Sequence, residues 1–508
     1  MCGVLGAFGG IAAADLAANL AQLRHRGPDG SGICETAAGV LAHTRLAIVD
    51  VANGSQPQAY GRLHISYNGE IYNHLALRRE YLARTALATN SDTEVVLRLY
   101  AALGPSSVEL LDGMFAIAIL DDETLFLARD PIGIKPLYLG FSGSVLYFAS
   151  EIKALPPDIE RVEVFPPGHW YHSELGLHRF YHVGQARGLL PTPRDNTAAQ
   201  EQLRAVLQDA VVKRLMADVP VGVSLSGGLD SSIVTLLAKE GLLAQGQDVL
   251  HSFAVGVEGG EDLAAARSVA AYLGTEHHER VYSMEEMLAI LPEVLYSLES
   301  CDPALVRSAI PNYFLAELAA QEVKVMLTGE GADELYAGYD YLRGFGEADQ
   351  LQQEMEYIVS ALHNTNLQRA DRMSMRFGLE ARVPFLDVNS IAYALALPPA
   401  WKMTKTGADG RRVEKALLRG AFAGRLPDAI VRRPKQKFSA GAGSSQLLAR
   451  QAEEAVSDRD FGAERDRLCD EWGYTLPNKE GLYYYRILAE AYPDDRIFAT
   501  MGISRSLD

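Results

Sequence analysis

The sequence predicts two folded domains of different class, an α+β domain on antiparallel sheet followed by an α/β domain on parallel sheet. Three observations predict this: the length, a change of hydrophobic period near residue 195, and glycine turns at the ends of buried strand-like runs. The 508 residues suffice for two large cores. Apolar residues make up 48% and charged residues 22%, so nothing points to disorder. The net charge of −18 would repel a long phosphate backbone, which argues against nucleic acid as the main partner. Cys2, Cys34, Cys301 and Cys469 lie far apart and form no C-x-x-C pair, so neither a zinc knuckle nor a disulfide framework is expected, and a cytoplasmic location fits. No apolar run reaches the roughly 18 residues that cross a membrane. The weakly charged start is not read as a secretory leader, because it lacks a basic region and is broken by Gly3, Gly6, Gly9 and Gly10.

Up to about residue 190, short β-rich runs alternate with turns: 40–42, 63–67, 115–120, 125–128 and 145–149, with a helix over 92–102. Residues 188–197 carry two prolines and no periodicity, and are read as the linker between domains at 2–190 and 198–508. Beyond it, Leu203, Val206, Leu207, Ala210, Val211 and Leu215 follow helical spacing. A buried-strand run at 219–225 leads to a helix over 232–240, with Gly241 expected as its C-terminal cap. A second strand, 249–257, precedes a helix near 261–273, and a third, 323–327, ends at another glycine turn. Such repeats predict a parallel sheet with ligands at the carboxyl ends of its strands.

The loop Ser226-Gly227-Gly228-Leu229-Asp230-Ser231-Ser232 lies at one of those ends and opens a helix. Its free N–H groups and positive helix end suit an anion; Asp230 is placed to hold a magnesium ion on phosphate oxygens. The chain has neither a Walker loop nor a G-x-G-x-x-G fingerprint. At the other end, removal of the initiator Met would leave Cys2 with a thiol and a free α-amine. Their reference pKa values, about 8.5 and about 7.7–8.0, match for proton transfer near neutral pH.

The Ser226–Ser232 loop resembles the pyrophosphate-binding motif of the ATP pyrophosphatases, and Phe253-Ala254-Val255-Gly256 resembles their adenosine-contacting segment. Thr328-Gly329-Glu330-Gly331-Ala332-Asp333-Glu334 is similar to their second catalytic loop. Arg24-His25-Arg26-Gly27-Pro28-Asp29, Arg45-Leu46-Ala47-Ile48-Val49-Asp50, Asn68-Gly69-Glu70-Ile71-Tyr72-Asn73 and Ser91-Asp92 resemble, in order and spacing, the class II glutamine amidotransferase domain. With Glu380-Ala381-Arg382-Val383-Pro384-Phe385-Leu386-Asp387 and the 479–486 stretch, the chain to about Pro493 resembles the bacterial-type glutamine-hydrolysing asparagine synthetases.

That resemblance implies an N-terminal-nucleophile αββα sandwich joined to an ATP-pyrophosphatase-like α/β domain. It implies an ATP-dependent ligase whose partners are L-glutamine, L-aspartate and ATP with Mg²⁺, and leaves a homodimer open. Cys2 is then the nucleophile, with Asn68 and Gly69 at the oxyanion and His25 and Arg26 in support. Glutamine would be bound by Arg45, Leu46, Ala47, Ile48, Val49, Asn68, Gly69, Glu70 and Asp92, with Arg45 on its carboxylate and the two acids on its ammonium. ATP would meet Leu225, Ser226, Gly227, Gly228, Asp230, Ser231, Ser232, Val255, Thr328 and Gly329, and the metal Asp230 and Asp333. Glu330 would take the proton of attacking ammonia and Lys435 would neutralise phosphate charge. Arg307, Glu334 and Asp387 are the aspartate-pocket candidates. Two departures stand out: Thr328 where many members have serine, and Arg372 where some have lysine, the latter bearing on how the acceptor is held. Two alternatives stay open, amidation of another carboxylate such as a sugar uronate or a peptide side chain, and an inactive binding relative.

Overall fold

The computed structural model describes residues 2–188, 190–405, 412–434 and 444–505. The amino-terminal half holds two six-stranded antiparallel sheets. One runs through Arg161–Val164, Tyr138–Ser142, Val145–Ala149, Cys2–Phe8, Gly39–Arg45 and Gly30–Glu35. The other runs through Gly176–Arg179, His169–His172, Leu125–Arg129, Gly113–Leu120, Leu63–Ile71 and Gln58–Tyr60. Side chains alternate across each pleat, so in the first strand Val4 faces the second sheet while Leu5 and Ala7 face outward. Val4, Leu41 and Phe148 meet Ala116, Leu125 and Leu127 between the sheets. Leu16 and Leu20 of helix Ala13–Ala21 cover the outer face of the first sheet. Leu77, Val95 and Leu99, from helices His74–Tyr81 and Asp92–Leu103, cover the second. The layers are α, β, β, α.

The carboxyl-terminal half is built on five parallel strands in the order Glu276–Val281, His251–Gly256, Val221–Ser224, Val325–Leu327 and Glu380–Arg382. Growth of the sheet reverses at Val221–Ser224, so its carboxyl end and that of Val325–Leu327 flank the crevice where such sheets bind ligands. Among the described residues no helix is long and apolar enough to cross a membrane, and all four cysteines are free.

The strand at 145–149 and the helix at 261–273 lie where the sequence places them. Gly241 does not cap its helix: Leu229–Ala244 runs straight through it. A Cβ there would stand 2.7 Å from Leu215, so this glycine serves close approach to the preceding helix. That helix, Asn196–Lys213, begins inside the stretch read as linker, because the Asp195 carboxylate accepts from the Ala198 N–H (2.8 Å) and caps it.

Candidate active sites

Cys2 is buried at the start of a central strand, opposite Arg45 in register. Its nitrogen donates to Asn68 Oδ1 (2.9 Å) and its carbonyl accepts from Arg26 Nε (3.1 Å). Burial pushes the thiol up, against the pull of the Leu46 backbone hydrogen bond. Asn68 Nδ2 is buried without a partner, a donor waiting for an acceptor beside the thiol. Gly69, next in the strand, has φ +155°, and a Cβ on it would stand 2.0 Å from the Met114 carbonyl oxygen. Only glycine lets the strand run this close to its neighbour at Met114.

Glu70 and Asp92 are the acids of this site. Asp92 accepts from Tyr67 OH (3.0 Å) and the Ile71 N–H (2.9 Å), while Glu70 Oε2 has no hydrogen-bond partner. Burial raises both carboxyls, Glu70 most, with Glu380 and Asp92 adding to it. A bound ammonium would favour the charged form of both crowded acids. The Arg45 guanidinium is pinned by the Val51 and Asp50 carbonyls (2.9 and 2.8 Å). Leu46, Ala47 and Ile48 are buried, Val49 partly so, and Ala47 N–H donates to Asp29 (2.7 Å).

The second site occupies the crevice of the parallel sheet. Its lining brings together Ser226, Gly228, Asp230, Ser231, Thr328, Gly329, Glu330 and Asp333 from the two glycine loops. Gly227 (φ +70°) makes the turn, and a Cβ there would stand 2.5 Å from Ala265 Cβ. Ser232 is tied to the Gly228 carbonyl (2.7 Å) beneath the loop, and Leu225 and Val255 pack behind it in the core. The uncapped start of helix Leu229–Ala244 faces the same space. Asp230 Oδ1 is buried without a hydrogen-bond partner, and Asp333 stands across from it. This pair of hard oxygen donors fits a magnesium ion. Lys415 Nζ lies 2.5 Å from both carboxylates, and Arg369 pairs with Glu330.

Seven expected residues are not in the pocket lining: Leu225, Gly227, Ser232 and Val255, which form or back the first loop, and Arg307, Asp387 and Glu334. Arg307 is paired with Glu480 through Nε (2.8 Å). Asp387 is buried, caps helix Val388–Ala396 and pairs with Arg214 (2.8 Å) and Lys213. Glu334 sits just behind the lining, where Tyr339 OH (2.5 Å) and Asn366 Nδ2 (2.9 Å) donate to it. Burial pushes its carboxyl up to about 7. Arg372 is buried against Glu299 (2.9 Å) and donates to the Ser150 carbonyl (3.1 Å) of the amino-terminal half. Lys435 lies outside the described residues; its neighbours Arg433 and Pro434 line the pocket. Sequence reading missed Lys415, Arg369, Arg419 and Asn312, which no local motif joins: Lys415 starts the helix that carries Arg419, and Arg369 and Asn312 sit on two other helices. The one local sign at Lys415 is a left-handed φ of 55°.

The two sites meet across a buried ionic seam. Arg26 holds Asp371 (Nη1–Oδ2 2.7 Å, Nη2–Oδ1 3.1 Å) and Glu151 (2.6 Å). Arg382, on the edge strand of the parallel sheet, approaches Glu70 (3.7 Å). The 380–387 signature thus reaches both sites: Arg382 approaches Glu70, while its carbonyl accepts from the Thr328 N–H (2.9 Å) and Leu386 packs against Gly331 of the second glycine loop. Helix Asn366–Met375 carries both Asp371, which reaches Arg26, and Arg369, which reaches Glu330.

Comparison with known proteins agrees with this division. A glutamine amidotransferase domain model matches residues 1–168, and an asparagine synthase model matches 202–345 and 343–497. The probable glutamine-hydrolysing asparagine synthetase of Schizosaccharomyces pombe is 40% identical over 507 residues, covering 93% of this chain and 89% of the relative. The glutamine-hydrolysing asparagine synthetase B of Escherichia coli K12 is 39% identical over 517 residues, 97% of this chain and 92% of the relative. One from Arabidopsis thaliana is 39% identical over 493 residues, 93% and 82%. With these domains in this order and this identity over nearly its whole length, the chain belongs to the family of glutamine-hydrolysing asparagine synthetases.

Proposed function

We propose that this protein makes L-asparagine from L-aspartate, L-glutamine and ATP, releasing L-glutamate, AMP and pyrophosphate. The observation that carries the reading is one buried helix, Asn366–Met375, touching the surroundings of both a buried N-terminal-strand thiol and a two-loop anion crevice. At the first site the Cys2 amine, once Met1 is removed, takes the thiol proton. The thiolate attacks the glutamine carboxamide carbon, and Asn68 Nδ2 and the Gly69 N–H bind the oxyanion. Collapse expels ammonia, and water releases glutamate. At the second site a side-chain oxygen of aspartate attacks the α-phosphorus and pyrophosphate leaves. Ammonia then attacks the acyl carbon of β-aspartyl-AMP, its proton passes to Glu330, and AMP departs.

Asp230 and Asp333 are the residues to hold magnesium, which when bound with ATP offsets charge on the phosphate oxygens. Lys415 is ion-paired with both acids and Arg369 with Glu330, and Lys435 would neutralise charge growing on the phosphates. Glu334, behind the lining, is the remaining acidic candidate for the aspartate ammonium. Free cysteines and a charge of −18 support a cytoplasmic enzyme that acts on small molecules. The test is pyrophosphate release with aspartate, glutamate, uronic acids and β-alanine derivatives as acceptors. Release with aspartate alone is expected; release only with another carboxylate would replace the named substrate.

A further inference from the structure

We infer that His251, Glu276 and His278 form a second metal site, for a divalent cation of the zinc class, at the opposite end of the parallel sheet from the nucleotide crevice. His251 and Glu276 are the first residues of neighbouring strands and stand opposite each other in register, with His278 two positions further along. Residues at these places share one face of a sheet, so all three side chains project together. His251 Nδ1 lies 3.1 Å from His278 Nε2 and 3.9 Å from Glu276 Oε2, and the three ligand atoms fall within 4.8 Å of one another. A tetrahedral zinc ion with bonds of about 2.1 Å holds its ligand atoms about 3.4 Å apart, so small side-chain rotations close the site.

The rings have firm support. Phe253, fully buried, stacks on the His278 ring with centroids 5.0 Å apart. The two histidines stand on adjacent hydrogen-bonded strands, which fixes their separation. Two imidazole nitrogens this close must share a proton or share a cation, because two imidazoliums would repel. Nitrogen donors with one carboxylate favour zinc, cobalt, nickel or copper over magnesium. The site therefore does not duplicate the Asp230–Asp333 pair, which lies at the carboxyl ends of the strands and offers oxygen alone. Since Glu276–Val281 is an edge strand, a bound ion would staple that edge to its neighbour.

The test uses the full-length enzyme in excess Mg²⁺, titrated with Co²⁺ as a spectroscopic probe and then with Zn²⁺ as competitor. One equivalent of Co²⁺ with a visible four-coordinate spectrum, displaced by Zn²⁺, is expected at micromolar metal. His251→Ala and His278→Ala should each weaken binding by at least about a hundredfold, more than loss of an outer-shell group usually costs. Glu276→Gln, at a mostly exposed side chain that can change without disturbing the fold, should weaken it less. All three variants should keep the parent's asparagine synthesis, and micromolar zinc should raise the thermal midpoint of the parent but not of the histidine variants. No stoichiometric uptake, or uptake unchanged in the histidine variants, would overturn the proposal. So would a thiolate-to-cobalt band, which would place the ion instead at Cys34 and His64, whose Sγ and Nδ1 lie 3.2 Å apart.

Discussion

Asp371→Asn should slow glutamine hydrolysis although Asp371 belongs to the other domain. The Arg26 guanidinium is fully buried, donates through Nε to the Cys2 carbonyl, and is gripped by both oxygens of Asp371. Asparagine keeps the shape but loses the charge and turns an N–H donor toward a guanidinium that can only donate. Breaking a buried pair costs about 3–5 kcal/mol, and because Glu151 stays on Arg26 at 2.6 Å the lower end, about 3 kcal/mol, applies. If half of that appears as misplacement of Cys2, glutaminase kcat/KM falls about tenfold, at about 1.4 kcal/mol per factor of ten. The remainder appears as a lower thermal midpoint. The assay compares glutamate release with asparagine formation from ammonium salts in the same preparation. Ammonia-dependent synthesis within a few-fold of the parent is expected. Equal loss of both activities, or an unchanged glutaminase rate in folded protein, would refute the idea that this seam sets the thiol's geometry.

Cys2→Ser should abolish glutamine-dependent synthesis and leave ammonium-dependent synthesis largely intact, read by product analysis with each nitrogen source. Asn68→Ala removes the unpartnered donor beside the thiol and should cost about 10²–10³ in glutaminase kcat, with ATP cleavage unaffected. Glu330→Gln should bind ATP by equilibrium dialysis yet fail to complete the amide, since a carboxamide takes up no proton. Glu334→Gln tests the buried acid: with its carboxyl raised from 4.5 to about 7, the native state holds the extra proton. That group's contribution to stability is full below about 4.5 and is lost as pH rises to about 7, reaching about 3 kcal/mol. The variant should therefore gain thermal stability over the parent above neutral pH and match it in acid.

The sheets and the two glycine loops were legible because period-2 and period-3.6 patterns and turn residues are local. So was Cys2, since its chemistry follows from position alone. Gly241 misled because a glycine that permits close packing and one that ends a helix look alike in sequence; the difference is Leu215, 26 residues earlier. The partners of Asp387 were hidden for a related reason, as its charge is answered by Arg214 and Lys213, more than 170 residues earlier. Lys415 was invisible because what recruits it is Asp230, 185 residues away. The ionic seam of Arg26, Glu151, Asp371 and Arg372 exists only once the domains dock, so no spacing announces it.

The central claim is that one chain makes ammonia at Cys2 and spends it on an aspartyl adenylate formed in the crevice. It is tested most directly by supplying aspartate with heavy oxygen in its side-chain carboxylate and glutamine with heavy nitrogen in its amide, together with ATP and Mg²⁺. Heavy oxygen in AMP and heavy nitrogen in asparagine, in equal amounts, is the expected result. Unlabelled AMP, or ADP and phosphate as the nucleotide products, would contradict it.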